Sequence, residues 1–425
     1  MNANSLDIRL EPRVLFIDMN SFFATCEQQT NYWLRGRPVA VCVYTGKYGC
    51  VIAPSIEAKK KGIRLGMRLN DAIKICPDLV PLETNPNKYR SYHIKIMNVL
   101  RQYADDVVPR SIDEAVVDLS NYKRIYPDMV AVAQKIKQDI KEQVGDWLQC
   151  SIGIAPNAFL AKLASDIQKP DGLVVINPEN IDSVISKLEL TDFPGISNGI
   201  KQRLNKVGIY TPLQLRQSTP EVLKAACKSI IGLHWYYRLH FQEVDMLSSD
   251  DYKSISAMRH LSKEQRNDID SIKEVFMLLC LTLERRLMKK GRYAQNINFF
   301  CKYEDGTSFE DKFHTEQALR DGMEIYHILL DRQKQFRDKN NIDQQILNNN
   351  IISIGIVIHK FVEEGATQLN MFNNKHIAKD KAMKKVYEIK QKYGENKIKR
   401  ASEMRADDTL FVDDVIGFGN IKDLL

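Results

Sequence analysis

The stretch Arg110-Ser111-Ile112-Asp113-Glu114-Ala115 places two adjacent carboxylates between two short runs that are rich in valine. These runs, Asp106-Val107-Val108 and Ala115-Val116-Val117-Asp118-Leu119, predict a β-hairpin with the acids near its tip. Because neighbouring side chains of a regular strand point to opposite faces, both acids can serve one site only at a turn or bulge. Two buried carboxylates without partners are costly, and a divalent cation is the usual remedy. The simpler alternative is a pair of solvated loop acids.

A third acid ends the apolar run Val14-Leu15-Phe16-Ile17-Asp18, which predicts a buried strand. Together with the hairpin pair, Asp18 could supply three carboxylates to a pair of metal ions. Such a pair can clamp the attacking and leaving oxygens of a phosphoryl transfer. The spacing alone leaves this a hypothesis.

Several motifs in a fixed order make the pattern more specific. The blocks Ile17-Asp18-Met19-Asn20-Ser21-Phe22-Phe23-Ala24 and Ser111-Ile112-Asp113-Glu114-Ala115 resemble the catalytic motifs of Y-family (translesion) DNA polymerases. Further matching stretches follow in the family's order: Glu57–Gly62, Ser151–Asn157, Ala161–Asp166 and Lys169–Gly172. The resemblance covers roughly residues 12 to 372 of the 425. The run 49–53 and the long C-terminal tail place the chain between the polymerase IV branch and the branch of the SOS mutagenesis polymerase's catalytic subunit.

This resemblance implies a low-fidelity, DNA-directed DNA polymerase that acts in damage tolerance and needs two Mg²⁺ ions. The implied catalytic residues are Asp18, Asp113 and Glu114, and the carbonyl of Met19 would be a further metal ligand. The residues implied to bind the incoming deoxynucleoside triphosphate are Met19, Phe22, Phe23, Lys59 and Lys169.

Within that set, Phe23 would be a steric gate under the sugar, and Lys59 and Lys169 would neutralise the triphosphate. Without the motif, Phe23 would be one more core aromatic, and the two lysines would be ordinary solvated side chains. At two positions where the family often has Thr and Tyr contacts, this chain has Ala53 and Ile56. Those two contacts are therefore absent from the implied set.

The predicted fold class is α+β and multidomain, a right-hand polymerase. The resemblance divides it into a palm (1–22 and 88–180), fingers (23–87), a helical thumb (181–246), a linker (247–253), a little finger (254–361) and a C-terminal segment (362–425). The little-finger segment has the pattern of a βαββαβ domain.

The stretch 193–204 within the thumb resembles a helix-hairpin-helix. Its glycine-containing turn would offer backbone N–H groups to a DNA phosphate, which grips the duplex without reading sequence. The implied DNA-binding residues are Gly195, Ser197, Gly199 and Lys201. A plain turn between two helices is the alternative.

A second partner is suggested by Gln368-Leu369-Asn370-Met371-Phe372, which resembles the peptide that binds the bacterial sliding clamp. The implied contacts are Gln368, Leu369, Met371 and Phe372. A match of five residues also arises by chance, and its position after the last polymerase domain is what favours the clamp. Whether an SOS regulatory subunit must activate the enzyme stays open.

Composition adds limits rather than a function. The net charge of +7 equals that of residues 373–405 alone, which hold 11 basic and 4 acidic residues. The overall charge is therefore weak evidence for DNA binding, and local basic patches must provide that evidence. No apolar run approaches the ~20 residues that span a bilayer, and the N-terminus lacks a signal-peptide pattern. The eight cysteines form no C-x-x-C, which predicts reduced thiols in the cytoplasm and no structural zinc.

Two other functions remain possible from the sequence. One is a clamp-tethered, polymerase-like scaffold that has lost catalysis, which the Ala53 and Ile56 departures favour and the three carboxylates disfavour. The other is a different two-metal palm enzyme, such as a nucleotidyl cyclase. That enzyme would need neither the thumb hairpin nor the clamp peptide.

Overall fold

The structure, a computed structural model, describes residues 8–46, 49–245, 253–341, 343, 345–363, 374–394 and 398; for 374–378 and 391 it describes the backbone alone. These residues fall into two compact units, one within 8–245 and the other within 253–398. Both units combine helices with sheets, as the α+β prediction requires.

In the first unit the strands are β1 (Val14–Met19), β2 (Val39–Cys42), β3 (Val51–Pro54), β4 (Val80–Glu83), β5 (Val107–Pro109), β6 (Glu114–Asp118), β7 (Cys150–Ala155) and β8 (Leu173–Val175). The helices are α1 (Phe22–Thr30), α2 (Ile56–Lys60), α3 (Leu69–Ile75), α4 (Pro86–Leu100), α5 (Met129–Gln143), α6 (Ala158–Ile167), α7 (Ile181–Ile185), α8 (Asn198–Asn205), α9 (Pro212–Gln217), α10 (Pro220–Cys227) and α11 (Ile231–Leu239).

The main sheet of this unit has the strand order β5-β6-β1-β7-β8, with β1 at its centre. Alternate residues of β1 pack in opposite directions, as the pleat requires. Leu15 and Ile17 join the core that contains α4 and α5, whereas Val14 and Phe16 join the core that contains α6. By the same alternation, Asp18 follows Phe16 on the α6 face of the sheet.

The predicted acid hairpin is confirmed, because β5 and β6 pair in antiparallel register. Asp113 lies in the turn between them and Glu114 is the first residue of β6. Because Asp113 lies in the turn and not in a regular strand, its side chain and that of Glu114 can face the same site.

A smaller sheet, β3-β2-β4, packs with α2 and α3 around its own apolar core. The segment from α7 to α11 is helical, as predicted, and it surrounds the fully buried indole of Trp235. The small sheet thus has a core of its own, whereas the helical segment shares the core that contains Val14, Phe16 and α6.

The second unit consists of β9 (Ser254–His260), α12 (Lys263–Arg266), α13 (Ile269–Lys289), β10 (Arg292–Tyr303), β11 (Ser308–Leu319), α14 (Gly322–Asn340), β12 (Ile351–Glu363) and α15 (Asn374–Tyr393). Its strands form one antiparallel sheet in the order β11-β10-β12-β9. The element order matches the predicted βαββαβ pattern, with a short extra helix before α13.

Helix α15 packs on the rest of this second unit through polar contacts, one of which involves a buried guanidinium. The guanidinium of Arg320, whose side chain is 2% exposed, pairs with Asp380 of α15 and also donates to the hydroxyl of Tyr293. Lys379 of α15 pairs with Asp321 at the start of α14. The basic segment after residue 373 therefore begins with a helix that packs on the domain preceding it.

All eight cysteines are free, and seven of them are buried. Burial raises the pKa of the thiols of Cys26, Cys150 and Cys301, which keeps them protonated. Within the residues that the structure describes, no helix is long and apolar enough to cross a membrane.

Candidate active site

Two of the three predicted carboxylates face each other across the centre of the main sheet. In the antiparallel pairing of β1 with β6, Asp18 is the direct partner of Glu114. Directly opposed residues project to the same side of a sheet, with Cβ atoms about 5 Å apart. The register therefore brings together two acids that are 96 positions apart in the chain.

Asp113 is held beside this pair by the backbone of the turn. Its carbonyl accepts a hydrogen bond of 2.9 Å from the N–H of Met19, which follows Asp18 on β1. Its carboxylate accepts a hydrogen bond from the hydroxyl of Ser111. The hydrogen bond from Met19 thus fixes the backbone of Asp113 against β1. The carboxylate of Asp113 lies close enough to Glu114 to raise the pKa of that residue.

The cation nearest the three acids is Lys162, which projects from helix α6. Its Nζ donates to Oδ2 of Asp18 at 2.7 Å and to Oε1 of Glu114 at 2.6 Å. The same ammonium lies 5.0 Å from the centre of the ring of Phe16, two residues before Asp18 on the same face. Helix α6 therefore places one positive charge directly between two of the predicted metal ligands.

The pKa shifts of the three acids differ because Asp18 is paired with two lysines, Lys162 and Lys169. Burial raises the pKa of Asp113, and the nearby charge of Asp18 adds to that rise. Burial also raises the pKa of Glu114 despite the opposing effect of Lys162. Burial acts in the same direction on Asp18, but Lys162 and Lys169 outweigh it and lower the pKa of that carboxyl. The site is short of positive charge at Asp113 and Glu114.

Lys169 reaches the same place from the loop that follows α6. Its Nζ donates to Oδ2 of Asp18 at 2.8 Å. The loop is fixed to the end of β1, because the N–H of Asp171 donates to Oδ1 of Asn20 at 2.8 Å. Ser151 on β7 holds its two ends, accepting from the N–H of Gly172 at 3.2 Å and donating to the carbonyl of Gln168 at 3.1 Å. Lys169 is thus positioned beside Asp18, and its contact with a triphosphate stays a prediction.

Lys59, at the end of the short helix α2, is an exposed side chain that faces the same charges. Partial desolvation and the ammonium of Lys169 lower its pKa, while Asp18 and Asp113 act in the opposite direction. These effects place Lys59 within electrostatic reach of Lys169 and of two of the acids. The neighbouring Lys61 instead pairs with Asp78 at 2.6 Å.

The two predicted aromatic contacts have different surroundings at the start of α1. Phe22 is 3% exposed and packs in the core, whereas Phe23 is half-buried. The ring of Phe23 stacks on Tyr89 of α4, with ring centres 4.3 Å apart and planes 9° from parallel. Only Phe23 therefore presents part of its ring outside the core.

The donor set suits a hard divalent cation, because it consists of carboxylates with excess negative charge. As the side chains stand, no group of three His, Cys, Asp or Glu side chains among the described residues converges on one point. Lys162 holds Asp18 and Glu114, and the hydroxyl of Ser111 holds Asp113. The chemistry of the donors fits Mg²⁺, and binding would require Lys162 to leave the two carboxylates that it now holds.

The predicted DNA-binding turn lies in the helical part of the first unit. Gly195 has a φ of +88°, a backbone conformation that residues other than glycine rarely adopt. Ser197 is the N-cap of α8, Gly199 lies in its first turn, and the Nζ of Lys201 pairs with Glu189 at 3.0 Å. The predicted sliding-clamp contacts Gln368, Leu369, Met371 and Phe372 lie outside the described residues.

Two charged residues of this site lie in the stretch Ala161–Asp166 that resembles the family, but no role was predicted for either from the sequence. Lys162 bridges Asp18 and Glu114, and Asp166 accepts from Lys162 at 3.2 Å and from Lys169 at 2.8 Å. The signal was available, because positions 162 and 166 are one helical turn apart and therefore lie on the same face. This spacing did not predict a role in the site, because only the strand register shows that Asp18 and Glu114 lie opposite that face of the helix.

Comparison with known proteins identifies the class of protein to which this site belongs. The impB/mucB/samB family model matches residues 17–166, and the model of that family's C-terminal domain matches residues 252–371. The chain is 33% identical to DNA polymerase IV of Staphylococcus aureus strain JH9 over 321 residues, which is 75% of this chain and 88% of the relative. DNA polymerase IV of strain MW2 is 32% identical over the same length.

Solved structures give the same fold. A Y-family DNA polymerase chimera of Dbh and Dpo4 superposes with a TM-score of 0.67 at 24% identity, covering 82% of this chain and 99% of the other. A ternary complex of Dbh superposes with a TM-score of 0.55 at 25% identity over the same shares. The fold is that of a right-hand polymerase with palm, fingers, thumb and little finger.

The class that fold and sequence define is therefore a bacterial Y-family, DNA-directed DNA polymerase that carries out translesion synthesis. The chain belongs to the impB/mucB/samB family.

Proposed function

We propose that Asp18, Asp113 and Glu114 are the residues that bind two Mg²⁺ ions and carry the nucleotidyl transfer, with the Met19 carbonyl as a further ligand. The observation that carries this proposal is the β1–β6 register, which places Asp18 opposite Glu114 and next to the turn with Asp113. Ions bound there would lower the pKa of the primer 3′-hydroxyl and neutralise charge on the transferred phosphoryl group. The sheet and its turn bring the three acids close together, and Lys162 would leave Asp18 and Glu114 as the ions bind.

The lysines have a separate role in this proposal. Lys59 and Lys169 bind the triphosphate as point charges, since an ammonium neutralises phosphate without the two-pronged geometry of arginine. Lys169 now donates to Asp18 and can turn to a phosphate that arrives beside it. The implied contact of Phe22 with the nucleotide remains a prediction, because the ring is buried.

The domain names follow the same reasoning. We assign the palm to 1–22 and 88–180, the fingers to 23–87, the thumb to 181–246, the linker to 247–253, the little finger to 254–361 and the clamp-binding segment with its tail to 362–425. The thumb turn at Gly195 to Lys201 would hold a phosphate of the primer-template duplex through backbone N–H groups. The eight free cysteines support a cytoplasmic location, and the tail supports a role in SOS mutagenesis, including contact with a regulatory subunit.

The test of the proposed function is primer extension on an undamaged template and on a template with one abasic site. We expect extension past the abasic site with Mg²⁺ and deoxynucleotides, and none when a chelator removes the metal. A folded chain that binds the primer-template but extends neither template, even with sliding clamp present, would point to the inactive scaffold or to a missing activating subunit. A cyclic nucleotide made without template would point to the cyclase.

Replacing Phe23 by alanine tests the proposed steric gate. Removing the ring opens space beneath the sugar, so we expect ribonucleotide use relative to deoxynucleotide use to rise about ten- to a hundredfold, the scale of relieved overpacking. The measurement is kcat/KM for a matched ribonucleotide and deoxynucleotide pair. Phe22→Ala is the matched comparison, and it should mainly destabilise the core. An unchanged ratio in the Phe23 variant would contradict the gate.

The proposed sliding-clamp contact predicts a different loss. In a variant with Gln368→Ala, Leu369→Ala and Phe372→Ala, we expect binding to the clamp to fall at least about tenfold, because large apolar anchors dominate such interfaces. Distributive extension without clamp should stay the same, since the substitutions leave Asp18, Asp113 and Glu114 unchanged. Calorimetric titration with purified clamp makes the measurement. Equal affinity of wild type and variant would reject the contact.

A further inference from the structure

The contact between Phe23 and Tyr89 connects the proposed gate to a buried polar network. Tyr89 is 0% exposed and lies in the first turns of α4. Its ring covers one face of Phe23 with the centres 4.3 Å apart. The gate ring therefore cannot move toward α4 unless a fully buried tyrosine also moves.

The hydroxyl of Tyr89 is itself anchored on the helix that carries Phe23. It donates to Oε1 of Glu27 at 2.9 Å, and Glu27 lies four residues after Phe23 on α1. Residues four apart on a helix share one face, so Tyr89 contacts two successive turns of α1, one through its ring and one through its hydroxyl. Burial raises the pKa of Tyr89, which keeps this hydroxyl protonated as a donor.

The negative charge of Glu27, which anchors Tyr89, is balanced by a neighbouring lysine. Glu27 is 8% exposed, and its second oxygen accepts from Nζ of Lys88 at 2.6 Å. A buried carboxylate without a partner would be costly, and Lys88 together with Tyr89 satisfies it. Lys88 is the residue before Tyr89, so the two partners of Glu27 come from the same turn of α4.

We propose that Tyr89 is a positioning residue for sugar selection: it fixes the orientation of Phe23 and thereby sets how strongly a 2′-hydroxyl is excluded. The inference rests on the proposed gate role of Phe23. A ring held on one face by a stacked partner resists displacement, whereas a ring beside a flexible aliphatic chain can tilt and admit the extra oxygen. Tyr89 touches no reacting atom, and its effect passes entirely through Phe23.

The first test replaces Tyr89 by leucine, which removes the stack and keeps apolar bulk. We expect ribonucleotide use relative to deoxynucleotide use to rise about two- to tenfold, the scale of a stacked aromatic pair. Tyr89→Phe keeps the ring, so its discrimination between the two sugars should stay within about twofold of the wild-type value, a change smaller than the stacking effect. Should the leucine variant fail to fold, Tyr89→Met, which fills space without a ring, carries the same expectation.

The matched control is Tyr103→Leu. Tyr103 is also a buried tyrosine beside α4, and its hydroxyl donates to the carboxylate of Asp139, so the substitution removes an equivalent contact away from Phe23. We expect it to lower the melting temperature about as much as Tyr89→Leu while leaving sugar selection unchanged. Equal relaxation of sugar selection in both variants would mean general loosening of the core, and it would overturn the inference.

Measuring Phe23→Ala in the same series separates this inference from the gate itself. If Phe23→Ala admits ribonucleotides and Tyr89→Leu does not, the gate stands and the positioning role of Tyr89 is wrong. If Phe23→Ala does not admit them, the gate is wrong and the inference falls with it. Relaxed selection in Phe23→Ala and Tyr89→Leu, with the Tyr103 control unchanged, is the result that we expect.

Discussion

Replacing Asp113 by asparagine should reduce primer extension on the order of a thousandfold or more, because it removes one charged oxygen ligand from the proposed metal site. The expected cause is loss of metal binding rather than loss of the fold. Asparagine has nearly the same shape, and its side-chain oxygen can still accept from Ser111. The backbone carbonyl that accepts from Met19 is unaffected by the change.

The control for this result is the stability of the variant. Burial and the charge of Asp18 both raise the pKa of Asp113, so its negative charge opposes folding in the absence of metal. We therefore expect Asp113→Asn to melt at the same or a higher temperature than wild type in a chelating buffer. Extension within about threefold of wild type, well short of the loss expected for a charged catalytic ligand, would remove Asp113 from the proposed catalytic set.

Replacing Gly153 by alanine should damage the fold and the site together. Gly153 lies on β7, and a Cβ added there would be 2.0 Å from the carbonyl oxygen of Ala161 and 2.4 Å from the backbone nitrogen of Ser165. Helix backbone cannot yield as a flexible side chain can, so α6 must move away from the sheet. We expect a fall in melting temperature of about 5 to 10 °C, the scale of an overpacked core.

The functional part of this prediction concerns the two lysines. Lys162 projects from α6 and Lys169 from the loop that follows it, so displacement of the helix carries both away from Asp18, and the shift of Lys169 removes a proposed triphosphate contact. Extension should be lost even at temperatures where the variant is folded. Gly46→Ala is the control, since its nearest neighbour would be a carbon of Tyr44 at 3.8 Å. A Gly153 variant as stable and active as that control would contradict the packing described for α6.

Local patterns in the sequence were sufficient to predict the strands that carry or flank the acids. The apolar run before Asp18 and the valine runs around Asp113 predict their strands, and the structure has them as β1, β5 and β6. The order of elements in the second unit also follows from periodicity. These features depend on neighbours in the chain, which is why the sequence alone could indicate them.

Features that depend on distant contacts could not be predicted in the same way. The pairing of Asp18 with Glu114 is set by strand register, and the position of Lys162 depends on how α6 packs across that sheet. The packing of α15 is a second example, because it depends on the pairing of Arg320 with Asp380, 60 positions apart. A lysine on a helix or an aspartate in a basic segment has, from sequence alone, the pattern of a solvated side chain.

The most direct test of the central claim is to count the divalent ions that the site binds. Electron paramagnetic resonance of Mn²⁺, titrated into the full-length protein with primer-template and a non-hydrolysable deoxynucleotide, makes that measurement. We predict two bound ions per chain in wild type and fewer in Asp113→Asn. The same number of ions in wild type and variant, or none in either, would contradict a metal site built from Asp18, Asp113 and Glu114.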